Sequence, residues 1–222
     1  MKHVRVSITA NGREAEIHPM WDVMANAPFV DRSAALQWNF TGDGFGILHY
    51  VVGDVDAFEE RIREIPEVLG YDIATAGTGR FYVYIRDATT ANMRALFAPI
   101  TQGGLVVIPP IRYHADGTSS FSLFGPDEEI QAALDTVPSP VEITIEKVGG
   151  LGATPATAQA HLSERQREAV LAAVELGYYE IPRVVSHEDV ADAIDCAPST
   201  AAEHLRKAES AIVTSVVGQS FR

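Results

Sequence analysis

Residues 162 to 213 read LSERQREAVLAAVELGYYEIPRVVSHEDVADAIDCAPSTAAEHLRKAESAIV, and they contain three helical signals separated by two interruptions. Ser163 is a helix N-cap, and Gln166 three residues on completes a capping box. Ala169, Val170, Ala173, Val174 and Gly177 then recur on one face at helical spacing. The run Tyr178-Tyr179-Glu180-Ile181-Pro182-Arg183 cannot stay helical through Pro182, so it is expected to be a connector that packs its aromatics on the helices. Ser186 caps a second helix, with Glu188 and Asp189 near its positive end and Val190, Ala191 and Ile194 facing inward. Asp195, Cys196 and Ala197 form a tight turn. Pro198 suits the first position of a third helix, whose buried face is Ala201, Leu205 and Ala208.

The pattern predicts a trihelical unit whose third helix exposes Ser199, Thr200, Glu203, His204, Arg206 and Lys207. Small hydroxyls, a carboxylate, an imidazole and two adjacent cations can contact phosphates and base edges in a major groove. An ordinary helical hairpin with a solvated charged face accounts for the same pattern. Ala208 to Val217, with Ala211, Ile212, Val213, Val216 and Val217, is apolar enough to reach a partner in a homodimer or to close the trihelical core.

Upstream, Gly149 to Ala160 is Gly, Ala, Thr and Pro without apolar period, and is expected to hold a linker, 151–160. Before it, strand and helix signals alternate. Strands are expected at Val4–Thr9, Ala35–Phe40, Ile47–Val52 and Leu69–Thr75, with helices at Ala15–Asn26 and Ala57–Ile65, the latter capped by Asp54. The order repeats from Arg80: strand 81–85, helix 90–97, strand 105–113, a turn at Asp116-Gly117, strand 120–124, a helix entered at Pro126, and strand 141–148. The expected fold is α+β: an N-terminal domain, 1–150, of two tandem ferredoxin-like (βαββαβ) units with halves 1–78 and 79–150, followed by an all-α helix-turn-helix domain, 161–222.

Composition narrows the function classes. The 222 residues are 46% hydrophobic and include 9 Phe, 7 Tyr and 2 Trp, enough to fill ordinary cores. No stretch has the length and apolarity of a membrane span or a signal peptide, so a cytoplasmic protein without a membrane partner is expected. The single cysteine, Cys196, allows no intrachain disulfide. Net charge is -13, with 30 acids against 17 bases. That opposes binding to nucleic acid at low salt. At about 1 M salt the Debye length falls to roughly 3 Å and the long-range repulsion is lost, so an acidic composition of this kind suits a saline cytoplasm.

No catalytic constellation, metal site or cofactor motif stands out. Gly42-x-Gly44-x-Gly46 lies between two strands and lacks the helix N-terminus of a phosphate loop, so a hairpin turn is expected. Gly77-Thr78-Gly79-Arg80 is read as another turn. His3, His18, His49 and His114 lack helical metal-ligand spacing. Phe81-Tyr82-Val83-Tyr84 lacks the surroundings of an RNA-binding aromatic motif. An enzyme, or a metabolite-binding protein using the first domain, with the C-terminal helices as an interaction module, is the rival reading, because ferredoxin-like folds host many chemistries.

The stretch quoted first resembles the helix-turn-helix of the bacterio-opsin activator type, found in regulators of haloarchaea. The resemblance rests on Leu162, Ser163, Arg165, Gly177, Tyr178, Tyr179, Pro182, Arg183, Ser199, Thr200, Glu203, His204, Leu205 and Arg206. It departs at Ala197, where the family has a serine cap, and at Cys196, where it has an aliphatic residue. VDRSAALQWNF (30–40), FYVYIRDAT (81–89) and the Gly125-Pro126 helix entry are similar to the domain that precedes this module in such regulators. The resemblance implies a transcription regulator rather than an enzyme, with double-stranded DNA as partner. It implies DNA contacts at Ser199, Thr200, Glu203, His204, Arg206, Lys207, Arg183 and Arg165, and a first domain that receives a signal; that domain is expected to bind a small effector or a protein partner, or else to serve dimerisation. For a small-molecule effector, His18, Trp21, Trp38 and Phe40 are the candidate contacts, near a cleft between the two halves.

Overall fold

In a computed structural model the chain is described over residues 1–41, 44–149 and 162–217. It divides into two compact units, Met1–Val148 and Gly149–Arg222. The expected linker, 151–160, lies outside the described residues.

The first unit is built from β1 (Lys2–Thr9), α1 (Glu14–Ile17), α2 (Pro19–Asn26), β2 (Val30–Thr41), β3 (Gly44–Gly53), α3 (Val55–Arg63), β4 (Val68–Thr75), β5 (Arg80–Ala88), α4 (Ala91–Thr101), β6 (Val106–Tyr113), β7 (Ser119–Gly125), α5 (Asp127–Asp135) and β8 (Glu142–Gly149). Local chemistry sets the boundaries. The helix expected over Ala15–Asn26 is two helices, because Pro19 opens α2 and His18 caps it, Nδ1 accepting from the Met20 amide at 3.2 Å. Asp54 caps α3 through Oδ1, which accepts from the amides of Asp56 and Ala57. Thr90 caps α4 by accepting from the Met93 amide.

All eight strands lie in one sheet, in the order β4-β5-β3-β2-β6-β7-β1-β8. The pairings of β2 with β3 and β6, of β5 with β3 and β4, and of β7 with β1 and β6 are antiparallel. From its two edges the sheet consists of the quartets β4-β5-β3-β2 and β8-β1-β7-β6, which meet where Ser33, Ala34 and Ala35 pair with Tyr113, Arg112 and Ile111. The halves 1–78 and 79–150 are therefore not self-contained sheets. β1 pairs with β7 of the second half, and β5 pairs with β3 and β4 of the first.

Strand alternation decides which face is covered. Val4, Val6 and Ile8 of β1, Phe45, Ile47 and Val51 of β3, and Phe81, Val83 and Ile85 of β5 are buried. Met20, Val23 and Met24 of α2 and Phe58 and Ile62 of α3 pack over β3 and β5, while Ile130 of α5 packs over Val4, Val6, Val107 and Leu123. The alternate positions Tyr82 and Arg86 of β5 are exposed. Gly46 is explained by packing: a Cβ there would lie 2.7 Å from Asn39 Oδ1 and closer still to the Tyr84 hydroxyl. The hairpin reading of its loop agrees with the pairing of Thr41 with Gly44.

The second unit is α6 (Glu164–Glu175), α7 (His187–Ala193) and α8 (Pro198–Val217). Its core is Ala169, Ala173, Val190, Ala191, Ile194, Ala201 and Leu205. Four of these seven are alanine, which lets three short helices approach closely. Val174, expected on the inner face of α6, is instead exposed. Five residues beyond Ala169 it has rotated about 140° away from that face.

Candidate nucleic-acid interface and internal cavity

Hydrogen bonding at both interruptions holds α8 in place. Ser163 Oγ accepts from the Gln166 amide while Gln166 Oε1 accepts from the Ser163 amide, closing the capping box that opens α6. Gly177 ends α6 with φ +81°, and the Tyr178 amide returns to the Ala173 carbonyl at 2.8 Å. Ser186 Oγ accepts from the Glu188 amide and Asp189 Oδ2 from the Ser186 amide, at 3.1 and 2.7 Å, which starts α7. In the turn to α8, Asp195 adopts φ +49°, the Cys196 amide donates to the Ala191 carbonyl, and the Ala197 carbonyl accepts from the Thr200 amide.

With Ala201, Leu205 and Ala208 buried, the rest of the first two turns of α8 faces outward. Ser199, Thr200, Glu203, Arg206 and Lys207 are exposed and His204 is half-buried. Lys207 Nζ is 2.7 Å from Glu203 Oε1. That contact, with the nearby charges of Arg206 and His204, holds the Glu203 carboxyl below its ordinary range. Arg206 has no ion pair among the described residues. The arrangement offers two hydroxyls at the helix N-terminus and a cationic edge about two turns further on, an array that can meet phosphates and base edges together. The other two expected contacts have roles within the unit. Arg165 Nη2 donates to the Ile194 carbonyl at 3.1 Å and pairs with Glu168, bracing the turn that precedes α8. The Arg183 guanidinium lies 4.0 Å above the Tyr178 ring. Residues 162–217 carry ten carboxylates against five cations, a net of -5, so even this unit is acidic and its positive charge is local to Arg206 and Lys207.

The first unit holds a cavity of about 110 Å³, partly open to solvent, beneath the inner face of the sheet. Three of the four expected effector contacts, His18, Trp21 and Trp38, line it. Phe40 is not in the lining. It is 41% exposed, and its ring packs edge-on to Phe97, which is a lining residue. The cavity also takes residues from both halves that were not expected, above all His49 of β3, Asp87 of β5, Tyr113 of β6 and Ser119 of β7. His49 and Asp87 have a sequence signal. Each is the polar member of an inward-facing alternation, Phe45-x-Ile47-x-His49-x-Val51 and Phe81-x-Val83-x-Ile85-x-Asp87. Burial lowers His49 to about 3 and, with Glu67 nearby, raises Asp87 to about 7.

Residues 18–151 match the HVO_0513_N family model, described as N-terminal, and residues 162–214 match a model described as HTH DNA binding domain. Over 56 residues the chain is 41% identical to the Transcriptional regulator NarO of Haloferax volcanii, in an alignment covering 25% of this chain and 26% of that protein. The chain thus matches only about a quarter of that relative's length. The first match spans well over half of the chain, so the protein belongs to the HVO_0513_N family, and the helix-turn-helix it carries in residues 162–214 is a DNA-binding domain of the bacterio-opsin activator type.

Proposed function

We propose that this protein is a sequence-specific DNA-binding transcription regulator in which α8 enters the major groove and the first unit receives a signal. The observation that carries the reading is the outward face of α8, where Ser199, Thr200, Arg206 and Lys207 stand exposed on a helix fixed from behind by Ala201, Leu205 and Ala208. The domain match and the regulator relative support it. Ser199, Thr200, Glu203 and His204 are assigned to base edges and nearby phosphates, and Arg206 and Lys207 to the phosphate backbone. Arg165 and Arg183 shape the module and touch DNA only at its margin.

In the first unit, the quartets β4-β5-β3-β2 and β8-β1-β7-β6 support a pair of ferredoxin-like units that have exchanged their first strands. We assign that unit to sensing rather than catalysis, and the whole protein to the cytoplasm. No helix among the described residues is long and apolar enough to cross a membrane. A homodimer would double the few base pairs one helix reads. Ala208 is buried in the trihelical core, so a dimer seam on α8 begins beyond it, near the exposed Val213. Light scattering of the full chain in molar salt tests the dimer, and a monomer at micromolar concentration rejects it.

The function is tested by gel shift of the full chain on DNA from its own promoter region at high salt. Replacing Arg206 and Lys207 by Ala should weaken binding to every sequence and lower the slope of log K against log salt by about 2, one for each lost phosphate contact. Failure to bind any fragment would reject the reading.

A further inference from the structure

Six buried polar side-chain atoms have no hydrogen-bond partner among the described residues, and four of them, Trp21 Nε1, His49 Nδ1, Asp87 Oδ1 and Ser119 Oγ, belong to residues lining the cavity described above. Leaving such an atom unanswered in the interior is costly. Their gathering around one space matches the composition of a ligand site, apolar walls with a few polar side chains among them. The walls supply the apolar part, including Ile8, Phe45, Ile47, Leu96 and Phe97. Among the described residues neither lysine nor arginine lines the space. Burial lowers the pKa of both His18 and His49, so the imidazoles there are neutral, and among the described residues the only carboxyl group in the lining is that of Asp87. An anion entering this space would lose its hydration with no cation to meet it.

Size narrows the occupant further. An apolar cavity of about 150 Å³ accepts benzene, and a partly open space of about 110 Å³ is on the scale of one small ring at most. We propose that the cavity binds a small uncharged aromatic molecule of the phenol kind, its ring among Phe45, Phe97 and Ile47 and its hydroxyl exchanging hydrogen bonds with the polar set that includes Asp87 and Trp21. The site deepens the signal-receiving role proposed above and rests on it for its regulatory meaning. Its walls come from strands of both halves, β1 and β3 of the first and β5, β6 and β7 of the second, so an occupant bridges the seam at which the two quartets join.

The test uses the full chain, titrated in molar salt with phenol, toluene, benzoate and benzylammonium. Binding is read by the fluorescence of the chain's two tryptophans, Trp21 and Trp38, both of which line the cavity, and by thermal shift. Phenol should give saturable binding at one site, toluene should bind several-fold more weakly, and benzoate should not bind. Ala35→Leu, which fills the space from β2, should abolish phenol binding. Ile111→Phe, which fills it from β6, serves the same purpose should the first variant not fold, and a retained cooperative urea transition of the first unit reports that each variant is intact. Asp87→Asn should narrow the preference for phenol over toluene and leave toluene binding unchanged. Absence of saturable phenol binding, tighter binding of benzylammonium or benzoate, or phenol binding undiminished in the filled variants overturns the proposal. Phenol binding that leaves DNA affinity unmoved upholds the site and counts against the signal-receiving reading, whereas DNA binding without phenol binding sinks the site alone.

Discussion

On the outward face of α8, Lys207 is held by Glu203 one turn before it, Nζ 2.7 Å from Oε1. The pair places a carboxylate where phosphates are to approach and restrains one of the two cations that would meet them. Glu203→Gln releases the ammonium and removes the repulsion. The expected result is about a three- to tenfold rise in affinity for random duplex at low salt, shrinking as salt screens the phosphates, with a smaller gain on the specific site. Fluorescence anisotropy on both DNAs decides it. Random-sequence affinity that is unchanged or reduced would show that Glu203 does not lie near the backbone.

Asp195 sits in the turn before α8 with φ +49°, a conformation that costs a residue with a Cβ about 1–2 kcal/mol. Glycine adopts it freely but loses more entropy on folding. Asp195→Gly should therefore raise the stability of the second unit by a net of roughly 0.5 kcal/mol, whereas Asp195→Val should lower it by more than that. Urea unfolding of the two variants checks this, and equal destabilisation by both would exclude backbone strain as the cause.

The second unit was legible in the sequence because its signals are local. Ser163 and Gln166, Gly177, Ser186, and Pro198 each set a helix boundary through neighbours a few residues away. The alanine spacing then gave the buried face, with Val174 misplaced because it was grouped with a face it has rotated past. In the first unit the strands were legible and their partners were not. Val4, Val6 and Ile8 alternate identically whether β1 pairs inside its own half or beside β7, so nothing in that run announces the exchange. The cavity was half legible for the same reason. Trp21 and Trp38 stood out as aromatics, but His49 and Asp87 matter only because β3 and β5 are neighbours, a fact of topology. Phe40 lies outside the lining because it stands at the exposed end of β2, which its aromatic character alone does not reveal.

Glu14 is fully buried near the end of β1, where Oε1 accepts from the amides of Ala10 and Gly12 at 3.0 and 3.3 Å and Oε2 accepts from Asn26 Nδ2 at 3.3 Å. The carboxylate is thus the partner of two backbone donors of the β1–α1 turn. Glu14→Ala should cost about 1–3 kcal/mol, since it strands the buried Ala10 amide, whereas the amide of the exposed Gly12 can turn to water. Glu14→Gln keeps an acceptor oxygen and should cost about half as much or less. Chemical unfolding of the first-unit transition tests the pair, and an alanine variant no less stable than the glutamine one would mean the turn does not depend on these bonds.

His49 and Asp87 face one cavity with pKa values displaced in opposite senses, and stability against pH should reveal both. Asp87 rises from 3.8 to about 7, so the folded state holds its proton more tightly, and its contribution is lost as pH climbs from about 4 through 7. His49 falls from 6.5 to about 3, so its contribution is lost as pH drops from about 6.5 toward 3. Between about 4 and 6.5 the two slopes oppose each other, and the wild-type profile carries little from either. Asp87→Asn leaves His49 unopposed. Relative to wild type, its stability should fall on acidification across that window at up to about 1.4 kcal/mol per pH unit. His49→Gln leaves Asp87 unopposed and should show the reverse, losing stability relative to wild type as pH rises through the same window. Titrating groups remote from both side chains drop out of the differences. Urea midpoints at pH 4.5 and 6.5 in constant molar salt measure both slopes. Two variants whose stabilities run parallel to wild type would mean that neither side chain is buried away from water as the cavity requires.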